Sequence, residues 1–359
     1  MSYLRNAWYV GAWRDELKSG LFARKMLGET ICMFRGDTGR VSAINDRCPH
    51  RFAPLHKGKL INGTVQCPYH GLRFGPDGRC VHNPHGDGVV PRKAISRSYP
   101  VIERHDMIWV WMGDPEKANP ASIPDFSFMD NPEFTIVKGH LNGDGNYELF
   151  TDNILDIGHA EFLHVGLGAP AFTRAKRKVW QDGDTIWSNL EYPNDAASPA
   201  TDFILQLGGR KVDVFAPMRW NAPASMLFDF KVGIPGDGVK PQGLHPSLHI
   251  FTPETETSTH YFWAAAKHRS IGDAEHTEKM RAAIAYAFEG EDKPMIGDVQ
   301  ENMQTSDIWA LNPILLAGDT TAVRARRLLA KLIAAEQAAP ASPTREPEVA
   351  TPTAETVTA

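Results

Sequence analysis

Residues Cys48–Ala53 read C-P-H-R-F-A and Cys67–His70 read C-P-Y-H, with sixteen residues between His50 and Cys67. Each half offers one thiolate and one imidazole. A tetrahedral zinc site more often pairs Cys with Cys and His with His, as C-x2–4-C followed by H-x3–5-H. The mixed order suits a Rieske [2Fe–2S] cluster, in which two cysteines hold one iron and two histidines the other. The proline after each cysteine, and Gly71, fit tight turns whose backbone N–H groups face the cluster sulfurs. Cys48, His50, Cys67 and His70 are the expected cluster ligands.

At 359 residues, with nine Trp, the chain has room for about two domains with sizeable cores. A net charge of −5 gives no sign of a nucleic-acid or anionic-membrane partner. The remaining cysteines, Cys32 and Cys80, lie in strand-like stretches and read as buried free thiols, since an iron–sulfur site argues for a reducing compartment. M-S-Y-L-R-N-A-W-Y-V lacks the basic and apolar segments of a signal peptide, and no apolar run is long enough to span a membrane. The expectation is a soluble, cytoplasmic protein.

Short strands separated by turn signals predict an all-β domain over residues 1–115. Thr30–Arg35 and Val41–Asn45 flank G-D-T-G, and Leu72–Phe74 and Arg79–His82 flank G-P-D-G. Met107–Met112 reads as a buried strand. Gly113–Phe126, with three prolines and no periodicity, reads as a linker. The second domain is expected over 116–336. It has strands at Phe134–Leu141, Thr185–Glu191, Lys211–Phe215, Ser225–Val232, Leu248–Phe251 and Thr259–Ala266. Helices are expected at Glu148–His164, Asp273–Phe288 and Asp319–Gln337. In the last, Val323, Leu328, Leu329 and Leu332 form a stripe for packing, with Arg324, Arg326, Arg327 and Lys331 elsewhere. Residues 337–359, rich in Ala, Pro, Thr, Ser and Glu, read as a disordered tail.

A second constellation, Asn153, Asp156, His159 and His164, reads N-x2-D-x2-H-x4-H. The first three recur every third residue and drift slowly round one helix face. His164 would lie about 140° from His159 on an ideal helix. Both imidazoles can meet one ion only if the helix ends, kinks or takes a π-bulge. Two imidazoles and a distant carboxylate would complete the facial triad of a non-haem Fe(II) oxygenase. The acidic candidates are Glu289, Glu291, Asp292 and Asp298, and composition does not choose among them.

With both motifs placed, the chain resembles the Rieske non-haem iron oxygenases over roughly residues 3–335. It is most similar to the branch with vanillate O-demethylase oxygenase and dicamba monooxygenase. The match rests on R-N-A-W-Y-V at Arg5–Val10, C-P-H-R-F-A-P-L at Cys48–Leu55 and C-P-Y-H-G-L at Cys67–Leu72. It extends through H-N-P-H-G at His82–Gly86, D-N-I-L-D-I-G-H at Asp152–His159 and T-P-E-T-E-T-S at Thr252–Ser258. The resemblance implies an α+β chain, an all-β Rieske domain followed by a helix-grip catalytic domain with an antiparallel sheet. It implies that Cys48 and Cys67 hold one cluster iron and His50 and His70 the other. His159, His164 and Asp292 would hold the mononuclear iron, with Asn153 supporting them. Asp156 would link this iron to a neighbouring protomer's Rieske histidine in a head-to-tail homotrimer. At the substrate, His249 matches a carboxylate-holding histidine. The polar and Trp partners expected beside it are replaced by Phe228 and Ile284, which argues against dicamba itself. Phe230, Phe251, Phe262 and Trp263 are further candidates for the pocket wall.

The implied activity is oxidative O-demethylation of a methoxylated aromatic acid with O2, releasing formaldehyde. Ring or side-chain hydroxylation, N-demethylation and aryl-ether cleavage are the alternatives. No G-x-G-x-x-G fingerprint is present at a strand–helix junction, so NAD(P)H electrons are expected through a separate reductase or ferredoxin. An electron carrier with the cluster alone, or a zinc-ribbon binding module, would leave the His159/His164 motif unexplained.

Overall fold

Runs of β-branched and aromatic residues, broken by glycine turns, fold the first third of the chain into short antiparallel strands. These are β1 Trp8–Trp13, β2 Leu21–Met26, β3 Glu29–Arg35, β4 Val41–Asn45, β5 Lys59–Ile61, β6 Thr64–Gln66, β7 Arg73–Phe74, β8 Cys80–His82, β9 Ser98–Tyr99, β10 Val101–Arg104 and β11 Met107–Trp111. The computed structural model describes residues 3–339 apart from 165, 167, 169 and 170. Strands pair in the orders β1-β11-β10, β2-β3-β4-β9 and β5-β6-β7-β8. Cys32, Phe34, Ile44, Leu55, Val65 and Phe74 form the buried floor beneath the two Cys/His loops. Cys32 and Cys80 are buried free thiols, as expected.

The second half opens on β12 Phe134–Asp144 and α1 Tyr147–Leu155, then the one-turn α2 Ala160–Leu163 and α3 Ala171–Arg174. Next come β13 Lys176–Asp182, β14 Thr185–Ala196, α4 Pro199–Leu205, β15 Lys211–Asn221, β16 Ser225–Ile234, β17 Gly238–Pro253 and β18 Ser258–His268. The chain closes with α5 Ala274–Tyr286, α6 Lys293–Met303 and α7 Thr320–Ala338. The strands form one antiparallel sheet in the order β12-β18-β17-β16-β15-β14-β13. Helix α1 lies against β17, α5 and α6 against β12, and α7 against β14 and α1. This is the expected all-β domain followed by a helix-flanked antiparallel sheet. Among the described residues, no helix is long and apolar enough to cross a membrane.

Several elements depart from the sequence reading. Gly113–Phe126 is not a bare tether. Ile123 and Phe126 are buried with Trp8, Trp109 and Trp111 of the first half and Leu248, Ile250 and Phe262 of the second. Burying Phe126 alone is worth roughly 1.5–3 kcal/mol, so this segment fastens the two halves together. Strand β13 escaped detection because Val179 and Trp180 are its only large apolar residues, as befits an edge. The helix expected at Glu148–His164 ends at Leu155, so Asn153, Asp156 and His159 do not share one helix. Arg326, placed off the apolar stripe, is buried and bonded to Glu148 and Asp152. Helix α7 runs to Ala338, past the expected start of the tail, and residues 340–359 lie outside the described residues.

Candidate functional site

The two Cys/His loops repeat one backbone pattern. Cys48 N–H donates to Ala53 O (3.0 Å) and Phe52 N–H to Cys48 O (2.9 Å). In the second loop Cys67 N–H donates to Leu72 O (2.8 Å) and Gly71 N–H to Cys67 O (3.1 Å). The equivalent positions Phe52 and Gly71 both have positive φ, +60° and +74°. Glycine takes this conformation freely; Phe52 is held there with Arg47 stacked 4.1 Å over its ring.

The loops set two thiols below and two imidazoles above. Cys48 and Cys67 are buried within hydrogen-bond reach of each other, whereas His50 is exposed and its ring lies 4.6 Å from that of His70. Burial pushes the Cys48 thiol up to about 11, so metal binding must displace its proton. His70 Nδ1 is buried with no hydrogen-bond partner among the described residues, and the His70 carbonyl accepts from His85 Nε2 (2.8 Å). A buried imidazole nitrogen without a partner is costly unless it ligates. Sulfur donors on one side and nitrogen donors on the other fit a cluster with one thiolate-bound and one imidazole-bound iron.

In the second half, helix α1 stops where Asp156 turns extended (φ −109°, ψ 90°), and a 3-10 turn over Ile157–His159 follows. One helical turn later His164 is again extended (φ −107°, ψ 92°). These two breaks remove the 140° problem posed by an ideal helix. The third member comes from a π-helical turn over Ala287–Asp292 between α5 and α6, with Asp292 at its end. His159 Nε2 and His164 Nε2 stand 3.5 and 3.2 Å from Asp292 Oδ1. The ligand atoms of these three residues all lie within 4.8 Å of one another.

Each member is held from behind. His159 Nδ1 donates to the carbonyl of Asp156 and His164 Nδ1 to Glu291 Oε2 (2.7 Å), so both Nε2 atoms face Asp292. Asn153 Nδ2 donates to Asp292 Oδ1 (2.9 Å) and lies 3.3 Å from His159 Nε2. Burial raises the Asp292 carboxyl, but the adjacent His159 and His164 imidazoles outweigh this and hold it at about 2. Two imidazoles and a buried carboxylate on one side match a facial-triad donor set for ferrous iron. Asp156 points elsewhere: its side chain, one-third exposed, accepts from Gly158 N–H and lies 3.8 Å from Arg177 Nη1.

The triad lines a cavity of about 160 Å³ whose walls include Phe228, Phe230, Ile284 and Phe288. His249 lines it from β17, with Nδ1 2.6 Å from the Tyr261 hydroxyl and Nε2 3.0 Å from Ser247 Oγ. Of the aromatic candidates for the wall, Phe228 and Phe230 line the cavity, while Phe251, Phe262 and Trp263 belong to the buried core. Sequence reasoning passed over Ser247 and His245. The signal was present: 245, 247 and 249 alternate on one face of the strand.

Residues 7–97 match the family model for the Rieske [2Fe-2S] domain, and 144–335 that for the vanillate O-demethylase oxygenase C-terminal domain. The chain is 43% identical to the chloroacetanilide N-alkylformylase oxygenase component of Rhizorhabdus wittichii, covering 93% of this chain and 97% of that one. It is 39% identical to the dicamba O-demethylase oxygenase component of Stenotrophomonas maltophilia, covering 92% and 98%. Its fold superposes on dicamba monooxygenase bound to dicamba with a TM-score of 0.87 at 38% identity, covering 94% and 100%.

Proposed function

The chain belongs to the Rieske non-haem iron oxygenases of the vanillate O-demethylase type, and on that premise we propose that it dealkylates an aromatic substrate oxidatively, first of all by O-demethylation. The observation that carries this reading is that His159, His164 and Asp292 line the same cavity as Phe228, Phe230 and His249. An aromatic ring lodged there brings its substituent to the triad.

In this reading residues 1–115 form the cluster domain and 116–336 the catalytic domain. Cys48 and Cys67 hold one cluster iron, and His50 and His70 the other. His159, His164 and Asp292 hold the ferrous ion. When bound, the cluster supplies electrons singly and the ferrous ion supplies O2 activation. The chain does the rest. Glu291 and the Asp156 carbonyl fix the two imidazole rings, and Asn153 fixes the Asp292 carboxylate. Apolar walls exclude water and orient the ring. One O2, two electrons and two protons convert the methyl ether to a hemiacetal and water. The hemiacetal then loses formaldehyde, its hydroxyl proton passing to the departing phenol oxygen.

Electrons come from NAD(P)H through a separate reductase or ferredoxin, which suits a cytoplasmic protein. We assign Asp156 to the junction between protomers of a homotrimer, where it would meet a neighbour's cluster histidine. Apolar side chains stand exposed at both surfaces this requires: Phe52 and Tyr69 beside His50 and His70, and Ile314 and Leu316 ahead of Gly318, which abuts Asp156. N-Dealkylation is the second reading, favoured by 43% identity to a chloroacetanilide N-alkylformylase component. The same hydroxylation beside nitrogen gives a carbinolamine that loses aldehyde.

The test is O2 uptake and aldehyde release with a reductase and a panel of methoxylated and N-alkylated aromatics. Formaldehyde appearing in step with phenol identifies O-demethylation, and with amine, N-demethylation. Anaerobically purified protein should hold about three irons and about two acid-labile sulfides per chain. A zinc-filled, sulfide-free preparation would end this reading.

A further inference from the structure

Strand β17 presents His245, Ser247 and His249 to the cavity at every second residue, the spacing that keeps side chains on one sheet face. All three are neutral in chemistry or in state. His245 Nδ1–H donates to Ala266 O (2.5 Å), which leaves Nε2 as an acceptor. Ser247 and His249 are buried, at 9% and 5% exposure.

The direction of the hydrogen bonds follows from counting protons. Tyr261 is fully buried, and among the described residues its hydroxyl pairs with His249 alone. For that hydroxyl to be satisfied as a donor, Tyr261 O–H must give to His249 Nδ1. His249 then carries its proton on Nε2 and donates to Ser247 Oγ across 3.0 Å. Among the described residues the Ser247 hydroxyl hydrogen is left over, on a residue that lines the cavity. The relay Tyr261–His249–Ser247 thus ends in one oriented, uncharged donor.

We propose that the aromatic substrate of this cavity is itself uncharged and carries a carbonyl acceptor, an amide or ester rather than a carboxylate, which the Ser247 hydroxyl binds with His249 and Tyr261 as positioning residues. This deepens the dealkylation reading and rests on it for the reaction. A carboxylate taken out of water needs a cation or several donors. Among the described residues, no Lys or Arg lines the cavity. Phe228 and Ile284 add apolar wall rather than donors. His249 offers no substitute for a cation, because both its ring nitrogens are already bonded inside the protein. Burial draws it down to about 3 and outweighs the opposing charge of Asp292. The cavity volume, about 160 Å³, is enough for one aromatic ring, an engineered cavity of about 150 Å³ being enough for benzene.

The test is equilibrium binding to the metal-loaded protein, by calorimetry, of positional isomers of methoxybenzamide against the corresponding methoxybenzoates at neutral pH. At least one amide should bind about tenfold or more tighter than its acid. Ser247→Ala should weaken that amide about tenfold, and Ser247→Thr, which keeps a hydroxyl, should stay within about threefold of the native protein. Unchanged circular dichroism and cluster absorbance serve as the folding control for both variants. An acid that binds as tightly as its amide, no binding of any amide, or an S247A protein that binds the amide as well as the native one would overturn the proposal. Aldehyde release from the same compounds, in parallel samples given reductase, NAD(P)H and O2, reports on the reaction separately. Amide binding without aldehyde would sink dealkylation and leave the cavity assignment standing. Aldehyde from acids alone would do the reverse.

Discussion

His164 gives its Nδ1–H to Glu291 Oε2 over 2.7 Å while its Nε2 stands 3.2 Å from Asp292 Oδ1. Neighbouring residues of one π-helical turn thus do two jobs on one imidazole: Glu291 fixes the ring, and Asp292 shares the ion with it. Carboxylate support of this kind orients a ligand and raises its basicity. Glu291→Ala should therefore raise the iron dissociation constant about 10–100-fold without changing the cluster absorbance. Iron content after dialysis against graded chelator measures it. Glu291→Gln keeps an acceptor oxygen and should lose less.

Asp156 holds His159 through its backbone carbonyl, and its carboxylate is not committed to the triad. Replacing the carboxylate alone separates the two roles. Asp156→Asn should keep the cluster spectrum and the full iron content but lose nearly all turnover. Stopped-flow reduction of the cluster, followed by its reoxidation with substrate and O2, locates the block. Unchanged turnover would remove Asp156 from the electron path.

Acid should loosen the junction between the halves. Buried Arg24 donates to His140 Nε2 (3.0 Å), and His140 lies 3.3 Å from His260. Burial, then the Arg24 charge, lowers His140 from 6.5 to about 3 and His260 to about 4. Glu16 neutralises Arg24, and Glu254 partly opposes the shift at His260. The unfolded chain takes up protons near pH 6.5, where the folded one still refuses them. Stability is thus fully present above about pH 6.5 and declines as pH falls toward about 4. Thermal melts across that window should show the fall, and His140→Gln should flatten it.

The sites differed in how openly the sequence carried them. Cys48, His50, Cys67 and His70 were legible because each pair sits in one tight loop whose local backbone sets the geometry. Asp292 could not be told from Glu291 by composition, since one rotation along a π-helical turn decides which carboxylate reaches both Nε2 atoms and which only the Nδ1 of His164. The break at Asp156 has a local cause, its carboxylate capping the next turn at Gly158 N–H, whereas the break at His164 follows only from the requirement that both rings meet. Gly113–Phe126 misled because three prolines signal an irregular backbone and say nothing of whether Ile123 and Phe126 are buried. Ser247 was missed because its alternation with His245 and His249 puts the three on one sheet face without saying that this face meets the cavity; the hydrogen bond to His249 then gives Ser247 its meaning.

Arg326 offers the clearest energetic test of how the site is held. It is 6% exposed, and it donates from Nε to Asp152 Oδ2 (2.8 Å) and from Nη1 to Glu148 Oε2 (2.8 Å), tying α7 to α1. Burial raises both acids, and Arg326 opposes that rise. Arg326→Met would keep the bulk but leave two partly buried carboxylates, 16% and 25% exposed, without their cation. Breaking a fully buried pair costs about 3–5 kcal/mol, and solvent reaching these acids brings the cost below that, still enough to lower the urea midpoint at neutral pH. The deficit should shrink on acidification as the stranded acids take up protons, and adding Glu148→Gln with Asp152→Asn should recover much of it. Because Asn153 and Asp156 sit on and just past α1, the single variant should also release iron more readily. A midpoint unmoved by Arg326→Met would mean that Leu328, Leu329 and their neighbours hold α7 unaided.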